Sequence, residues 1–144
     1  MLKISKAKPH NTEAIRVFYS QCGYGGGPIS EEDLIFIAQL EERIIGAVRL
    51  CPETEFFVLR GMQVLAPFQR QGVGTQLLQF CAKELVEQVC YCIPWQHLHS
   101  FYQQAGFQEV SPDEVPVLLR ERFGNYISKE MNVIIMRRLP NLYI

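Results

Sequence analysis

The segment that most constrains this chain is Gln69-Arg70-Gln71-Gly72-Val73-Gly74-Thr75. The apolar run Arg60 to Leu65 precedes it, and Thr75 to Ala82 reads as an amphipathic helix behind it. A strand, a glycine turn and a helix start, in that order, make a place to hold phosphate. The first-turn N–H groups of a helix have no acceptor inside the helix, and the helix dipole adds partial positive charge at the same spot. Gly72 and Gly74 carry no Cβ, so an anion can approach the backbone closely. Arg70 adds a full positive charge. A Walker A loop is excluded, because no Gly-x-x-x-x-Gly-Lys-Ser/Thr run exists. A dinucleotide fingerprint is excluded too, because Leu77 stands where its third glycine belongs. Two readings remain: a phosphate loop spelled Gln69-x-x-Gly72-x-Gly74, or a turn that only packs a helix on a strand.

That spelling resembles the acetyl-CoA pyrophosphate loop of the GNAT-type N-acetyltransferase superfamily. A downstream segment, Phe101-Tyr102-Gln103-Gln104-Ala105-Gly106-Phe107, resembles the second signature of the same family. There an aromatic–tyrosine pair near a helix start is followed by Gly-Phe. Gly106 suits the residue after a helix end, which is often left-handed. Tyr102 also has a chemical reason to be there. Acetyl transfer expels a CoA thiolate, and a phenol with a pKa of about 10 still holds a proton to give it at neutral pH. Read alone, Tyr102 is as well explained as a half-buried tyrosine covering a core edge.

The rest of the chain is compatible with such an enzyme. Its 144 residues suit one domain, spanning 1–144, and 48% are apolar, enough for a sizeable core. A formal charge of −1 implies no broad basic surface for nucleic acid. The N-terminus alternates apolar and polar residues like a strand, unlike a secretory signal. No apolar run approaches the roughly 20 residues of a membrane helix. Five cysteines without a framework spacing fit a reducing cytoplasm.

Patterning predicts alternating strands and helices. Strands are expected over 2–7, 34–40, 44–51, 56–64, 89–93 and 107–110, with a terminal strand over 133–136 running on toward Leu139. Asn11 is expected to cap a helix toward Cys22. Ser30 and Asp33 resemble a capping box for a short helical turn. Further helices are expected from Val73, over 96–105 and over 115–123. The order is that of the GNAT layout, an α/β fold with a central splayed β-sheet flanked by helices.

The resemblance implies a site. Acetyl-CoA serves as co-substrate where two parallel strands splay, and the unpaired backbone of Met62, Gln63 and Val64 receives the pantetheine like an added strand. Gln69, Arg70, Gln71, Gly72, Val73, Gly74 and Thr75 hold the pyrophosphate. A backbone N–H stabilises the oxyanion, and Tyr102 protonates the leaving thiolate. No metal is required. Family members often carry Glu or His at the positions of Val58 or Arg60, and neither residue here can act as that base. Glu53, Glu55, His97 and His99 are the substitutes, alongside a water chain or an amine that binds neutral. Arg60 is read either as a partner for a substrate carboxylate or as an ion-pair partner of Glu53 or Glu55; period-two alternation puts Met62 and Val64 on its side of the strand. Trp95 replaces an asparagine common in the family, and is read as a wall of the acceptor pocket or as packing. Tyr24 and the Gly25-Gly26-Gly27 loop are expected to shape that pocket. Glu31, Glu32 and Asp33 either attract an amine or serve helix-start electrostatics. The leucines of 115–123 read as core. Cys90, Cys92, His97 and His99 offer zinc ligand types, but a strand spreads Cys90 and Cys92 apart, so buried thiols are the plainer reading. Cys92 is also a site open to oxidants if it lies near the CoA sulfur.

The function expected is acetyl transfer to the primary amine of a small molecule. The alternatives are a non-catalytic acyl-CoA sensor and a protein or peptide N-acetyltransferase. The resemblance leaves room for a homodimer.

Overall fold

A computed structural model describes residues 1–25 and 27–140. Seven strands form one sheet among these residues. β1 (Leu2–Lys6), β2 (Leu34–Leu40), β3 (Arg43–Pro52) and β4 (Phe57–Val64) pair antiparallel in chain order. β5 (Cys90–Cys92) then pairs parallel to β4. β7 (Met136–Arg138) and β6 (Gln108–Glu109) complete the order β1-β2-β3-β4-β5-β7-β6. Glu41 turns the β2–β3 hairpin with a left-handed φ of 57°. Ile44 to Cys51 are all buried, because helices cover both faces of β3.

The helices are α1 (Thr12–Gln21), α2 (Val73–Ala82), α3 (His99–Gln103) and α4 (Val117–Ser128). A Cβ on Gly46 would meet Leu77 and Val73, so that face of β3 belongs to α2. Arg49, three residues on, lies against Tyr19 of α1, so α1 covers the opposite face. Leu119 of α4 packs with Val58, Tyr91 and Ile135 in a second, smaller core. Arg138 ties down two helical ends: its Nε donates to Ala105 O at 2.8 Å and its Nη1 to Leu85 O at 3.1 Å. Gly106 leaves the room for that side chain, with a left-handed φ of 94° as expected after a helix.

Several local expectations change in three dimensions. Asn11 does not cap α1 with its side chain; its Oδ1 accepts the Lys8 N–H and closes a 3₁₀ turn before the helix. The Ser30–Asp33 contacts form, yet the chain turns straight into β2, because Asp33 is held by Arg49. The helix expected over 96–105 divides into a 3₁₀ turn, Gln96–Leu98, and the short α3. The last strand begins only at Met136, while Val133 makes an isolated bridge to Trp95. No helix among the described residues is long and apolar enough to cross a membrane.

Candidate active site

β4 and β5 share only the pairs Phe57–Cys90 and Val58–Tyr91. β4 then runs on to Val64 while β5 ends at Cys92, so the edge of β4 from Leu59 onward faces a gap. A bulge shapes this edge. Arg60 pairs with Arg49 and Gln63 with Ala47, which leaves one extra residue on β4. Gly61 sits there with φ 66°. Its carbonyl accepts the Tyr19 Oη–H at 2.8 Å, and an added Cβ would strike that oxygen. The bulge overturns the period-two expectation. Val64 pairs with Gly46 on the α2 face, whereas Arg60 pairs with Arg49 on the α1 face. A lone glycine inside a strand was the signal for it.

At the far end of β4 the glycine loop opens α2. Arg70 and Gly72 are left-handed, with φ 63° and 85°. The first helical bond is Gln76 N–H to Gly72 O, and no described protein acceptor meets the N–H groups from Arg70 to Thr75. Gln69 to Gly72 are exposed. The two glycines differ in use. A Cβ on Gly72 would meet nothing within 4 Å, while one on Gly74 would lie 3.4 Å from the Phe101 ring. Gly72 therefore leaves approach open, whereas Gly74 faces Phe101 of α3 at ordinary contact distance. The side chain of Val73 is buried, so only its backbone faces the loop. Gln69 Nε2 donates back to Val64 O at 2.9 Å and Gln71 Nε2 to Pro67 O at 3.0 Å, which fixes the loop to the strand end. Thr75 Oγ1 accepts from Gln104 Nε2 at 3.4 Å.

A cavity of about 370 Å³ threads the gap between β4 and β5. Met62, Gln63 and Arg60 line it from β4, and Tyr102 and Leu98 from the α3 side. Tyr102 is 5% exposed, and burial pushes its phenol well above the usual value. Its Oη makes no hydrogen bond among the described residues and is not among the sealed polar atoms, so it opens onto the cavity. Phe101 and Phe107 meet its ring edge-on and hold it in place. Tyr24, Gly25 and Trp95 also line the cavity; Trp95 is 45% exposed, which removes the core-packing reading. Gly26 lies outside the described residues.

Three residues of this region escaped sequence reasoning. Arg49 is 1% exposed in the middle of β3. Its Nη1 donates to Asp33 Oδ2 and Pro28 O, each at 3.1 Å, and its Nη2 donates to Tyr24 Oη at 3.3 Å. It thus fastens the loop after α1 to the sheet, and Asp33 serves that purpose rather than an amine or a helix start. The signal was a single charge in an apolar run. Arg122 and Tyr126 line the cavity from α4, one turn apart on one face. Arg122 falls inside the helix expected over 115–123 and Tyr126 beyond it, on the stretch by which α4, anchored by Leu119, runs on to Ser128.

None of Glu53, Glu55, His97 and His99 lines the cavity, and no described carboxylate or histidine does. All five cysteines are free thiols, and no group of three or more His, Cys, Asp or Glu side chains among the described residues is placed to hold a metal. Cys92 lines the cavity, but burial pushes its thiol well up, which corrects the expectation that oxidants attack it readily.

The family model described as acetyltransferase (GNAT) domain matches residues 31–109. No curated protein sequence matches. Solved structures share the fold at low identity. An N-acetylglutamate synthase from Neisseria gonorrhoeae, complexed with coenzyme A and N-acetyl-glutamate, superposes with a TM-score of 0.66 at 21% identity; the match covers 96% of this chain and 35% of that one, so this chain spans about a third of its length. The ribosomal-protein-S18-alanine N-acetyltransferase from Escherichia coli gives 0.68 at 20% identity, covering 100% of both chains. An aminoglycoside 6'-N-acetyltransferase complexed with coenzyme A gives 0.68 at 14% identity, covering 94% of this chain and 96% of that one.

Proposed function

The chain belongs to the GNAT acetyltransferase family, and on that premise we propose that it moves the acetyl group of acetyl-CoA onto the primary amine of a small molecule by direct attack. In this reading the open N–H groups from Arg70 to Thr75 hold the pyrophosphate, aided by the α2 dipole. The pantetheine lies along the edge of Met62, Gln63 and Val64 that β5 leaves uncovered, where Gln69 already holds the Val64 carbonyl. The amine nitrogen attacks the thioester carbonyl, and a backbone N–H of β4 steadies the oxyanion. The C–S bond then breaks and the thiolate sulfur takes the Tyr102 phenol proton, which solvent replaces. Burial suits this transfer: it keeps the phenol protonated, and it makes the desolvated thiolate a stronger base. The amine's own proton leaves to water, since no described carboxylate or histidine lines the cavity.

The observation that carries this reading is the Tyr102 hydroxyl, buried, unclaimed and opening where β4 leaves β5. A cavity of about 370 Å³ also falls within the range of small-molecule sites. The test is release of free CoA thiol from acetyl-CoA across a panel of primary amines. Amine-dependent release is expected. Acetyl-CoA binding with no release for any amine would assign the chain a sensor's function instead.

A further inference from the structure

A second phenol is held at the cavity with unusual care. Tyr24 borders it from the loop after α1, and Tyr102 from the α3 side. The Tyr24 ring packs on Tyr19 with centroids 4.9 Å apart, and its backbone N–H donates to Tyr19 O at 3.1 Å. Its phenol oxygen accepts the Arg49 Nη2–H at 3.3 Å, and Arg49 is itself clamped by Asp33. The same oxygen lies 3.3 Å from where a Cβ on Gly61 would stand, so it sits against the β4 bulge.

The hydrogen of that hydroxyl decides what Tyr24 can do. A guanidinium only donates, so Tyr24 accepts from Arg49 and must give its own hydrogen elsewhere. No described residue accepts it. It is therefore offered to whatever fills the cavity beside Gly61. In the acetyl-transfer reading the phosphates lie beyond Val64, so the pantetheine runs back along β4 and brings its thioester toward Gly61. The thioester oxygen can accept that hydrogen. An amine lone pair makes a poor acceptor here, because the bond would occupy the pair that has to attack. Charge points the same way. Arg49 is paired with Asp33, yet its guanidinium is the part that touches Tyr24. A cation behind the phenol favours an anion in front of it over an ammonium, and linked hydrogen bonds polarise one another.

We propose that Tyr24 donates to the thioester oxygen and, together with the β4 backbone N–H, completes the oxyanion site, with Arg49 as its positioning residue. This rests on the acetyl-transfer reading above. As the amine nitrogen attacks, the carbonyl electron pair moves onto oxygen, where the Tyr24 hydrogen meets it. The pair returns when the C–S bond breaks, and Tyr24 keeps its proton throughout. The two phenols then differ in role: Tyr102 serves the sulfur and Tyr24 the oxygen.

The test needs no knowledge of the acceptor. Isotope-edited infrared spectra are taken of acetyl-CoA, labelled at the acetyl carbonyl and bound to the protein without amine. A hydrogen-bond donor lowers the carbonyl stretching frequency. Wild type and Tyr102→Phe are expected to share one lowered band. Tyr24→Phe, which keeps the ring on Tyr19, is expected to raise it. The double change Arg49→Met with Asp33→Leu keeps the phenol without its donor, and its band should fall between. With the most reactive amine of the panel, Tyr24→Phe should lower kcat by about 10²-fold while the amine KM and the acetyl-CoA affinity hold. Melting curves identify any variant that has not folded. A band unmoved by Tyr24→Phe, or a loss confined to the amine KM, overturns the proposal. A wild-type band in the double variant overturns the part given to Arg49. Folded wild type that fails to bind acetyl-CoA overturns the acetyl-transfer reading and this inference with it, whereas binding with an unmoved band overturns this inference alone.

Discussion

The two ends of the site are made of different material. The phosphate end is backbone: open N–H groups from Arg70 to Thr75, a left-handed glycine and a helix start, all within one short stretch of chain. The acceptor end is side chains gathered from afar, Tyr24, Arg60, Trp95, Arg122 and Tyr126, positioned by a bulge, a loop and a helix face. A backbone site tolerates side-chain change and is sensitive to charge and backbone conformation. A side-chain site is rewritten by single substitutions. A common co-substrate suits the first construction, and a variable acceptor suits the second.

The largest effect expected falls on what holds the acceptor end together. Arg49→Met leaves Asp33 buried without its partner and should cost about 3–5 kcal/mol in chemical denaturation. The double change Arg49→Met with Asp33→Leu should recover much of that loss; simple additivity would show that the pair does not act as a unit. Next comes Tyr102→Phe, expected to lower kcat by about 10²-fold with acetyl-CoA affinity unchanged. An unchanged kcat would remove the phenol from the chemistry and leave it as packing between Phe101 and Phe107.

The pH profile separates the ends differently. With no described carboxylate or histidine in the cavity, kcat/KM should climb about tenfold per pH unit and level off at the acceptor's own ammonium pKa. Two acceptors of different basicity should shift that limb. Tyr102 is raised above the usual phenol value by burial, so its proton is retained and no fall is expected through pH 9. Tyr24, Cys92, Arg60, Arg122 and Tyr126 are the other ionisable groups lining the cavity. A limb fixed at one pH for every acceptor would point to a base supplied by the protein instead. The smallest effect belongs to exposed Arg70: Arg70→Met should weaken acetyl-CoA binding about twofold, and less at high salt.

The same contrast explains what the sequence disclosed. The β2–β3 hairpin, the β4–loop–α2 unit and the Tyr102 segment depend on local patterning and turn chemistry, so their residues announce them. The Gly61 bulge depends on a tyrosine far earlier in the chain, and one extra residue was enough to turn Val64 away from the face of Arg60. Arg49 passed unremarked inside the strand expected over 44–51, because Asp33, Pro28 and Tyr24 meet it only in the fold. α4 outruns its weak sequence signal because Leu119 is packed against Val58 and Ile135. Helix propensity lost there to tertiary contact.

The central claim is that the glycine loop holds the phosphates of acetyl-CoA. Calorimetric titration of acetyl-CoA into wild type, Gly72→Asp and Gly72→Asn tests it most directly. Both side chains tolerate the left-handed conformation of Gly72 and project into open space, so they differ in charge and hardly in fold. The account predicts binding by wild type, a loss of about tenfold in Gly72→Asp and a smaller one in Gly72→Asn. Equal affinities in all three, or no binding by folded wild type, would contradict it and leave the loop as a turn that packs α2 against β4.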